Sequence, residues 1–435
     1  MNRPKISPEL RNRIFFLLGA IIVYRIGSHI PVPGIDVELL KESFESQKGG
    51  LLGMLDVFSG GALGRVSLFA LGIMPYITAS IIMQMLSHTL PSMEAIRKEG
   101  SSGHRKITQW TRYLTVVLTM FQAYGVAVAL EGQPFVTTPG IGFRIMMVVS
   151  LTTGTVFLLW LGEQITERGV GNGISILIFA GIASGMPQGI ISFLELVRNN
   201  TISPIPALFI IAIIIAAISV VVLVERAQRR IPVNYPRMQA SGPIGKKTTH
   251  LPMKLNIAGV IPPIFASALL LFPTTLLSWT ENPANQGGTI NLVKNFAASL
   301  TPGSYTYVII YGFLVVFFAF FYTNIVFNTR ETSDNLKRSG ALIPGMRPGE
   351  QTSKYLDSMT LKLTIIGATY LAIICLLPEV LRMGIPAIPF YLGGTTLLIL
   401  VVVALDFQEQ ISAHLMSQQY ESLLKKARFK KGFNP

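Results

Sequence analysis

Residues 51–64 read LLGMLDVFSGGALG, and RVSLFALGIMPYITASIIMQM follows at once over 65–85. The first stretch is apolar enough to enter a membrane and too short to cross one. A helix of that length covers about 21 Å, against roughly 30 Å of hydrocarbon. Gly53, Gly60, Gly61 and Asp56 make a lipid-facing span still less favourable. Irregular backbone survives at membrane depth only where protein or a water-filled cavity surrounds it. The second stretch is long enough to span, and Pro75 near its start predicts a kink. A half-helix feeding a kinked span points to a chain that lines or fills an aqueous path.

The whole composition agrees with a membrane setting. Half of the 435 residues are hydrophobic and only 13% are charged, about half the charged share of a soluble domain. That excludes a string of two or three globular domains. The single cysteine, Cys375, falls in an apolar run. It excludes a disulfide framework and a cysteine-rich metal site, and reads as a small buried apolar residue. The N-terminus, MNRPKISPELRNR, is basic and polar and leads into a run long enough to span, so no cleavable signal peptide is expected. The pattern predicts an all-α polytopic membrane protein with ten transmembrane helices near residues 14–30, 68–90, 110–130, 145–161, 174–194, 205–223, 257–279, 305–327, 359–377 and 388–405.

Charge sets the orientation. With the N-terminus inside, the inner segments hold 28 of the 36 Lys and Arg but only 13 of the 22 Asp and Glu. This is a positive-inside pattern, with both termini cytoplasmic. Topology therefore accounts for the net charge of +14 without a nucleic-acid partner. Two inner loops are too long for simple connections. The first, 225–254, contains RIPVNYP, which reads as an extended strand-like piece. The second, 328–357, contains the turn-rich tip PGMRPGE with Arg347 at its centre. Long basic loops on one face suit a docking surface for a large anionic or acidic partner. The chain also divides near Pro204 into an N-terminal half, 1–203, and a C-terminal half, 204–407, with a cytoplasmic tail over 408–435. Five spans in each half require the second half to be inverted relative to the first, an arrangement familiar in transporters.

The spans hold little that is ionisable. Arg25 alone lies inside an apolar run, near enough to a span end to reach the interface, and no span carries Asp or Glu near its middle. That argues against a proton or sodium relay. Ser87 and His88 adjoin, but neighbours on a helix face different ways, and no carboxylate pair supports an intramembrane enzyme. The spans instead carry isoleucines beside glycine and proline. Ile73 and Ile77 flank Pro75, Ile174 and Ile178 overlap and follow GVGNGIS, and Ile264 follows Pro262 and Pro263. An aliphatic constriction seals a pore by dewetting, although periodicity does not say which face looks inward. Two other classes compete with a channel: an inverted-repeat solute transporter, which needs a polar midplane site, and an intramembrane hydrolase, which needs a catalytic pair.

Five collinear stretches carry a resemblance: FSGGALGRVSLFALGIMPYITASIIMQ (58–84), ERGVGNGISILIFAGI (167–182), GVIPPIFASALLLFP (259–273), PGMRPGEQTSKYLD (344–357) and FYLGGTTLLILVVVALDF (390–407). Together they resemble the SecY/Sec61-alpha family, channel-forming subunits of the general protein translocase, over essentially the whole chain. The resemblance implies a pore ring of Ile73, Ile77, Ile174, Ile178, Ile264 and Ile399. It implies a plug half-helix over 51–64, including Leu51, Leu52, Met54, Leu55, Val57, Phe58, Ser59, Gly60 and Gly61. A lateral gate would lie between spans two and three and spans seven and eight, with Thr78, Gln84, Gln122 and Phe272 at the seam. The two basic loops would dock the ribosome or the motor ATPase SecA through Arg347, Lys246, Lys247 and Arg237. The outer loop WTENPANQGG (279–288) is somewhat expanded relative to the family, which touches none of these roles.

The function implied is a passive conduit in the plasma (inner) membrane of a bacterium. Unfolded secretory polypeptides would cross through the ring, and hydrophobic signal sequences would leave sideways into the lipid bilayer. The small membrane subunits SecE and SecG are the implied companions. No G-x-x-x-x-G-K-[ST] occurs in the sequence, so a partner must supply the driving energy. No cofactor or metal is expected.

Overall fold

The structure, a computed structural model, describes residues 8–40, 59–199, 201–234, 249–278, 304–384 and 393–431; side chains at 249, 271–278, 382 and 418–431 lie outside that description. Helix α1 spans Pro8–Gly27, α2 Met74–Thr89, the short α3 Pro91–Lys98, α4 Ser101–Glu131 and α5 Ile141–Arg168. Helices α6 (Gly173–Arg198) and α7 (Pro204–Arg226) lead into strands β1 (Gln228–Val233) and β2 (Thr249–Lys254). The chain continues through α8 (Ile261–Ser278), α9 (Tyr305–Val326), α10 (Thr329–Arg338), α11 (Glu350–Gly384) and α12 (Gly394–Lys431).

Every predicted span overlaps a long helix, but the lengths differ. Among the described residues, seven helices are long and apolar enough to cross a membrane: α4 to α7, α9, α11 and α12. Helix α1 begins among Glu9, Arg11 and Arg13, and α2 has only 16 residues, about 24 Å of helix. The predicted span at 68–90 is therefore corrected: residues 68–73 form turns, and the helix starts at Met74. Gly72 has φ +55°, and Pro75 sits in the first turn, where its missing N–H and fixed φ are no burden. Pro75 starts this helix and does not kink it. The same device opens α8, where Gly259 has φ +63° and Pro262 and Pro263 occupy the first turn.

The helices close on themselves. Following the packing neighbours, α2 meets α4, α4 meets α5, α5 meets α6 and α6 meets α12; α12 meets α11, α11 meets α9, α9 meets α8, and α8 returns to α2. Helix α1 lies on α5 and α6, and α7 on α12. The order α2, α4, α5, α6 is matched step for step by α8, α9, α11, α12. One large cluster of buried apolar side chains joins both sets, with Phe265, Phe318, Leu371 and Ile399 from the second and Ile73, Leu158 and Leu177 from the first. The outward faces are greasy instead of polar: on α7, Ile205 is 81% and Leu223 71% exposed. A helix apolar on its outer surface is stable only in lipid or against another apolar chain.

Small residues let these helices approach closely. On α4, Thr111, Thr115, Thr119, Ala123 and Ala127 form a buried stripe at every fourth position. Each threonine hydroxyl donates to the carbonyl four residues back, at 2.9, 2.7 and 2.6 Å in turn, so burial leaves none of the three unsatisfied. On α5, a Cβ added at Gly154 would lie 2.0 Å from the Leu68 carbonyl oxygen, whereas one at Gly142 would meet nothing within 4 Å. Gly154→Ala should therefore lower stability by about 1–3 kcal/mol through overpacking. Gly142→Ala should raise it by roughly 0.5–1 kcal/mol. Thermal unfolding of both variants in detergent checks the pair; equal melting temperatures would contradict the close contact.

Candidate functional site

Inside the closed circuit of helices, the first turns of three helices meet. Ile73 caps α2 and Ile77 lies one turn on, its N–H donating to the Ile73 carbonyl at 3.1 Å. Helix α6 starts sharply because Asn172 Oδ1 accepts from the Ile174 and Ser175 N–H groups at 3.1 and 3.4 Å, an efficient N-cap. Thr166 Oγ1 accepts from Gly173 N at 2.9 Å, and a Cβ at Gly173 would lie 1.9 Å from the Gly162 carbonyl oxygen. The glycines of GVGNG thus fold the end of α5 directly back into α6. Helix α8 delivers Ile264 from its first turn.

The result is a small cavity lined by Ile73, Ile77, Ile178 and Ile264 together with Tyr24, Gly72, Met74, Leu158 and Leu177. The space open to the centre of a water molecule is about 10 Å³, at the lower limit for holding one water, and its lining is mostly apolar. Two further isoleucines of the expected ring lie outside the cavity lining. Ile174 is half-buried and packs toward Gly162, and Ile399 is buried in the same apolar cluster on α12.

Beside the cavity runs the largely turn-forming segment 60–73, preceded by Ser59. Of the nine residues expected to form the plug, Ser59, Gly60 and Gly61 are described; Leu51, Leu52, Met54, Leu55, Val57 and Phe58 lie outside the described residues. Ser59 is buried, and the Tyr24 hydroxyl donates to its carbonyl at 3.2 Å. Arg25 Nη1 donates to the Gly60 carbonyl at 3.1 Å and to Ser184 Oγ at 2.7 Å. The expectation that Arg25 reaches out to the interface is thereby corrected: its guanidinium turns inward between α1 and α6. Phe69 is stacked between Tyr24 and Phe157, with ring centroids 6.1 and 5.9 Å apart. Val66 takes φ +41°, a strained value for a β-branched residue.

The seam between the two sets of helices joins α2 to α8. Thr78 on α2 donates to the Met74 carbonyl at 3.1 Å, and Gln84 Nε2 to Ser80 Oγ at 3.0 Å. Gln84 Oε1 is buried and has no hydrogen-bond partner among the described residues. Gln122 is half-buried on α4, which packs on α2 and α5. Phe272 belongs to α8, at a position whose side chain is outside the description. At the end of the seam, the His88 ring meets Phe321 edge-on at 6.4 Å and binds Arg97. A cleft of about 890 Å³ opens there, lined by His88, Arg97, Phe320, Asn324 and Thr360 among others. The adjoining Ser87 donates to the Gln84 carbonyl at 2.8 Å, so Ser87 and His88 engage different partners. On the exposed α3, Lys98 lies 2.8 Å from Glu94 and holds its carboxyl below the usual carboxylate range.

Sequence reasoning missed two buried carboxylates. Helix α11 runs past the predicted end at 377 to Gly384, with Pro378 inside it, and so buries Glu379. Glu225, at the end of α7, is buried and accepts from Asn256 Nδ2 at 2.7 Å. Cys375 is free and buried, as its apolar setting implied.

The two basic loops form one body. RIPV is strand, as expected, and β1 pairs antiparallel with β2 from Gln228 opposite Lys254 to Val233 opposite Thr249. Asn234 and Leu342 exchange two backbone hydrogen bonds of 2.8 Å, tying the first loop to the second. Ile231, Met253, Ile343, Leu356 and Leu363 form a small core beneath them. Arg347 stands exposed on the tip between Gly345 (φ +83°) and Gly349 (φ +109°), and its carbonyl accepts from Thr352 Oγ1 at 2.9 Å. Arg237, Lys246, Lys247 and the expanded loop at 279–288 lie outside the described residues.

Comparison with known proteins agrees with this architecture. Residues 67–408 match the family model described as SecY. The protein translocase subunit SecY of Escherichia coli (strain K12) is 52% identical over 428 residues, covering 97% of this chain and 95% of the relative. A solved structure described as "The structure of a protein conducting channel" is 17% identical, with a TM-score of 0.65 and coverage of 96% of this chain and 95% of the other. A second, "Sec61 in the Canine ribosome-channel complex from the endoplasmic reticulum", is 16% identical with a TM-score of 0.62, covering 96% and 95%. At those identities the two structures speak for the fold alone.

Proposed function

The chain belongs to the SecY family, and from that premise we propose that it is a protein-conducting channel in which the isoleucine cluster is the throat. The observation that carries the reading is the cavity itself: within a closed circuit of helices, Ile73, Ile77, Ile178 and Ile264 help to line a space with room for about one water. A throat that must pass any sequence should bind none of them. Aliphatic side chains adapt to size and offer no hydrogen bonds, and when closed they exclude ions by dewetting. A solute transporter needs a polar site at this depth, and the cavity lining has none to match it. The protein is a multi-pass membrane channel subunit and not an enzyme.

The finer parts are as follows. The ten helices matching the predicted spans form two five-helix halves, inverted by their odd number, and the matched packing order of the two sets supports this. Residues 51–64 act as the plug, and the α2–α8 seam is the lateral gate, with Thr78 and Gln84 on one side and Phe272 on the other. Through it a hydrophobic signal segment passes into lipid, a transfer worth about 25 cal/mol per Å² of apolar surface. The fused loop body bearing Arg347 docks the ribosome or SecA, and SecE and SecG complete the complex in a bacterial inner membrane. A canine relative has been seen in a ribosome-channel complex.

A stalled secretory polypeptide tests the throat. With a photo-cross-linker placed at Ile77 or Ile178 of the assembled complex, the stalled chain should form adducts at both positions. Adducts confined to lipid-facing controls such as Leu208, with none at the isoleucines, would overturn it.

A further inference from the structure

Arg25 is the one cation that the sequence places within an apolar run, and the structure spends it on a single turn. Its Nη1 donates to the Gly60 carbonyl at 3.1 Å and to Ser184 Oγ at 2.7 Å. Ser184 Oγ in turn donates to the Gly181 carbonyl at 2.6 Å, which orients its lone pairs toward the guanidinium. One residue earlier on α1, the Tyr24 hydroxyl holds the Ser59 carbonyl at 3.2 Å. Two consecutive side chains of α1 thus grip two consecutive carbonyls. Helix α6 is the backstop: Gly60 rests on it so closely that an added Cβ would lie 2.8 Å from Gly181 Cα. A guanidinium at membrane depth is costly, and Met or Leu would fill the same space without that cost. What the arginine adds is a charge-assisted bond directed at the main chain of a turn that belongs to no helix of the circuit.

We infer that Tyr24, Arg25 and Ser184 form a clasp on the root of the plug, and that its strength sets how readily the resting channel opens. Arg25 is then a positioning residue for gating, touching neither the throat nor the translocating chain. The inference rests on the plug reading above. When the plug leaves, Arg25 loses the Gly60 carbonyl as an acceptor. The bond therefore weights the closed state and makes opening depend on a substrate whose own binding compensates.

The test uses the assembled channel complex in planar bilayers, with signal-sequence discrimination read in parallel. Arg25→Met should raise resting open probability about tenfold, the effect of losing one charge-assisted hydrogen bond. It should also admit precursors with defective signals while leaving the rate for intact precursors unchanged. Arg25→Lys, which keeps the charge, should restore part of the seal. In a background lacking residues 51–61, Arg25→Met should add no further leak. If Arg25→Met does not accumulate, Tyr24→Phe and Ser184→Ala each remove one bond and should leak in the same direction. Should the plug deletion itself stay tight, the plug reading fails. A leaking deletion with tight Arg25→Met and Ser184→Ala channels overturns the clasp alone, as does an Arg25→Met leak that persists in full without the plug.

Discussion

Arg347→Glu should stop motor-driven translocation while the protein still inserts, folds and seals. Arg347 is exposed at the tip of the 344–349 turn, and among the described residues no carboxylate lies within ion-pair distance of its guanidinium. The turn's geometry comes from Gly345, Gly349 and the Thr352 hydroxyl bond to the Arg347 carbonyl, none of which needs the side chain. Stability should therefore move by no more than about 0.5 kcal/mol, as for other exposed positions. Docking is another matter. A reversed charge facing an acidic or phosphate-bearing partner costs several kcal/mol, which corresponds to a fall of about a hundredfold or more in rate. Arg347→Lys should recover only part of it, because an ammonium cannot make the paired contact of a guanidinium. Initial rates of precursor import into proteoliposomes, at equal amounts of folded channel, check this. Translocation at the normal rate in Arg347→Glu would remove the tip from the docking surface.

Ile178→Asn should give a channel that leaks ions at rest and accepts poor signals. Ile178 is buried beside Ile73, Ile77 and Ile264 around a space of about 10 Å³. An amide there gives water a foothold in a site that otherwise excludes it. It also leaves a buried polar group short of partners, at a cost of about 1–3 kcal/mol to the closed state. That range corresponds to roughly a 5- to 150-fold shift toward open conformations. Resting conductance in planar bilayers should rise accordingly, and Ile178→Leu should stay tight. An unchanged conductance for Ile178→Asn would exclude this residue from the seal.

The spans were legible because their apolar runs are long and their charges sort by side; the packing that joins them was not. Pro75 read as a kink because proline inside a helix is disruptive, yet at Pro75 and Pro262 alike a positive-φ glycine three residues earlier precedes the helix start, and the proline is a first-turn residue. Arg25 read as a surface-seeking cation, since nothing in its neighbourhood signals that Gly60 and Ser184, 35 and 159 residues away, will receive it. Ile73, Ile77, Ile178 and Ile264 stood out by their place near glycine and proline, but only the fold brings them to one cavity. The loops at 225–254 and 328–357 were visible as basic and turn-rich. Their union through Asn234 and Leu342 is a long-range pairing with no local sequence signal.

The way three helices begin at the throat has an electrical consequence. Helices α2, α6 and α8 all present their N-terminal turns to the same cavity, Ile73 and Ile77 from one, Ile178 from the second and Ile264 from the third. Each helix N-terminus carries the equivalent of about half a positive charge. In a dry, apolar surrounding that potential is poorly screened. Beneath a lining that is chemically neutral, the throat is therefore biased against cations, and a proton meets the same barrier. If this cavity is the throat, small ions that pass when the isoleucines loosen should be anions before cations, and reversal potentials in asymmetric chloride solutions check that order.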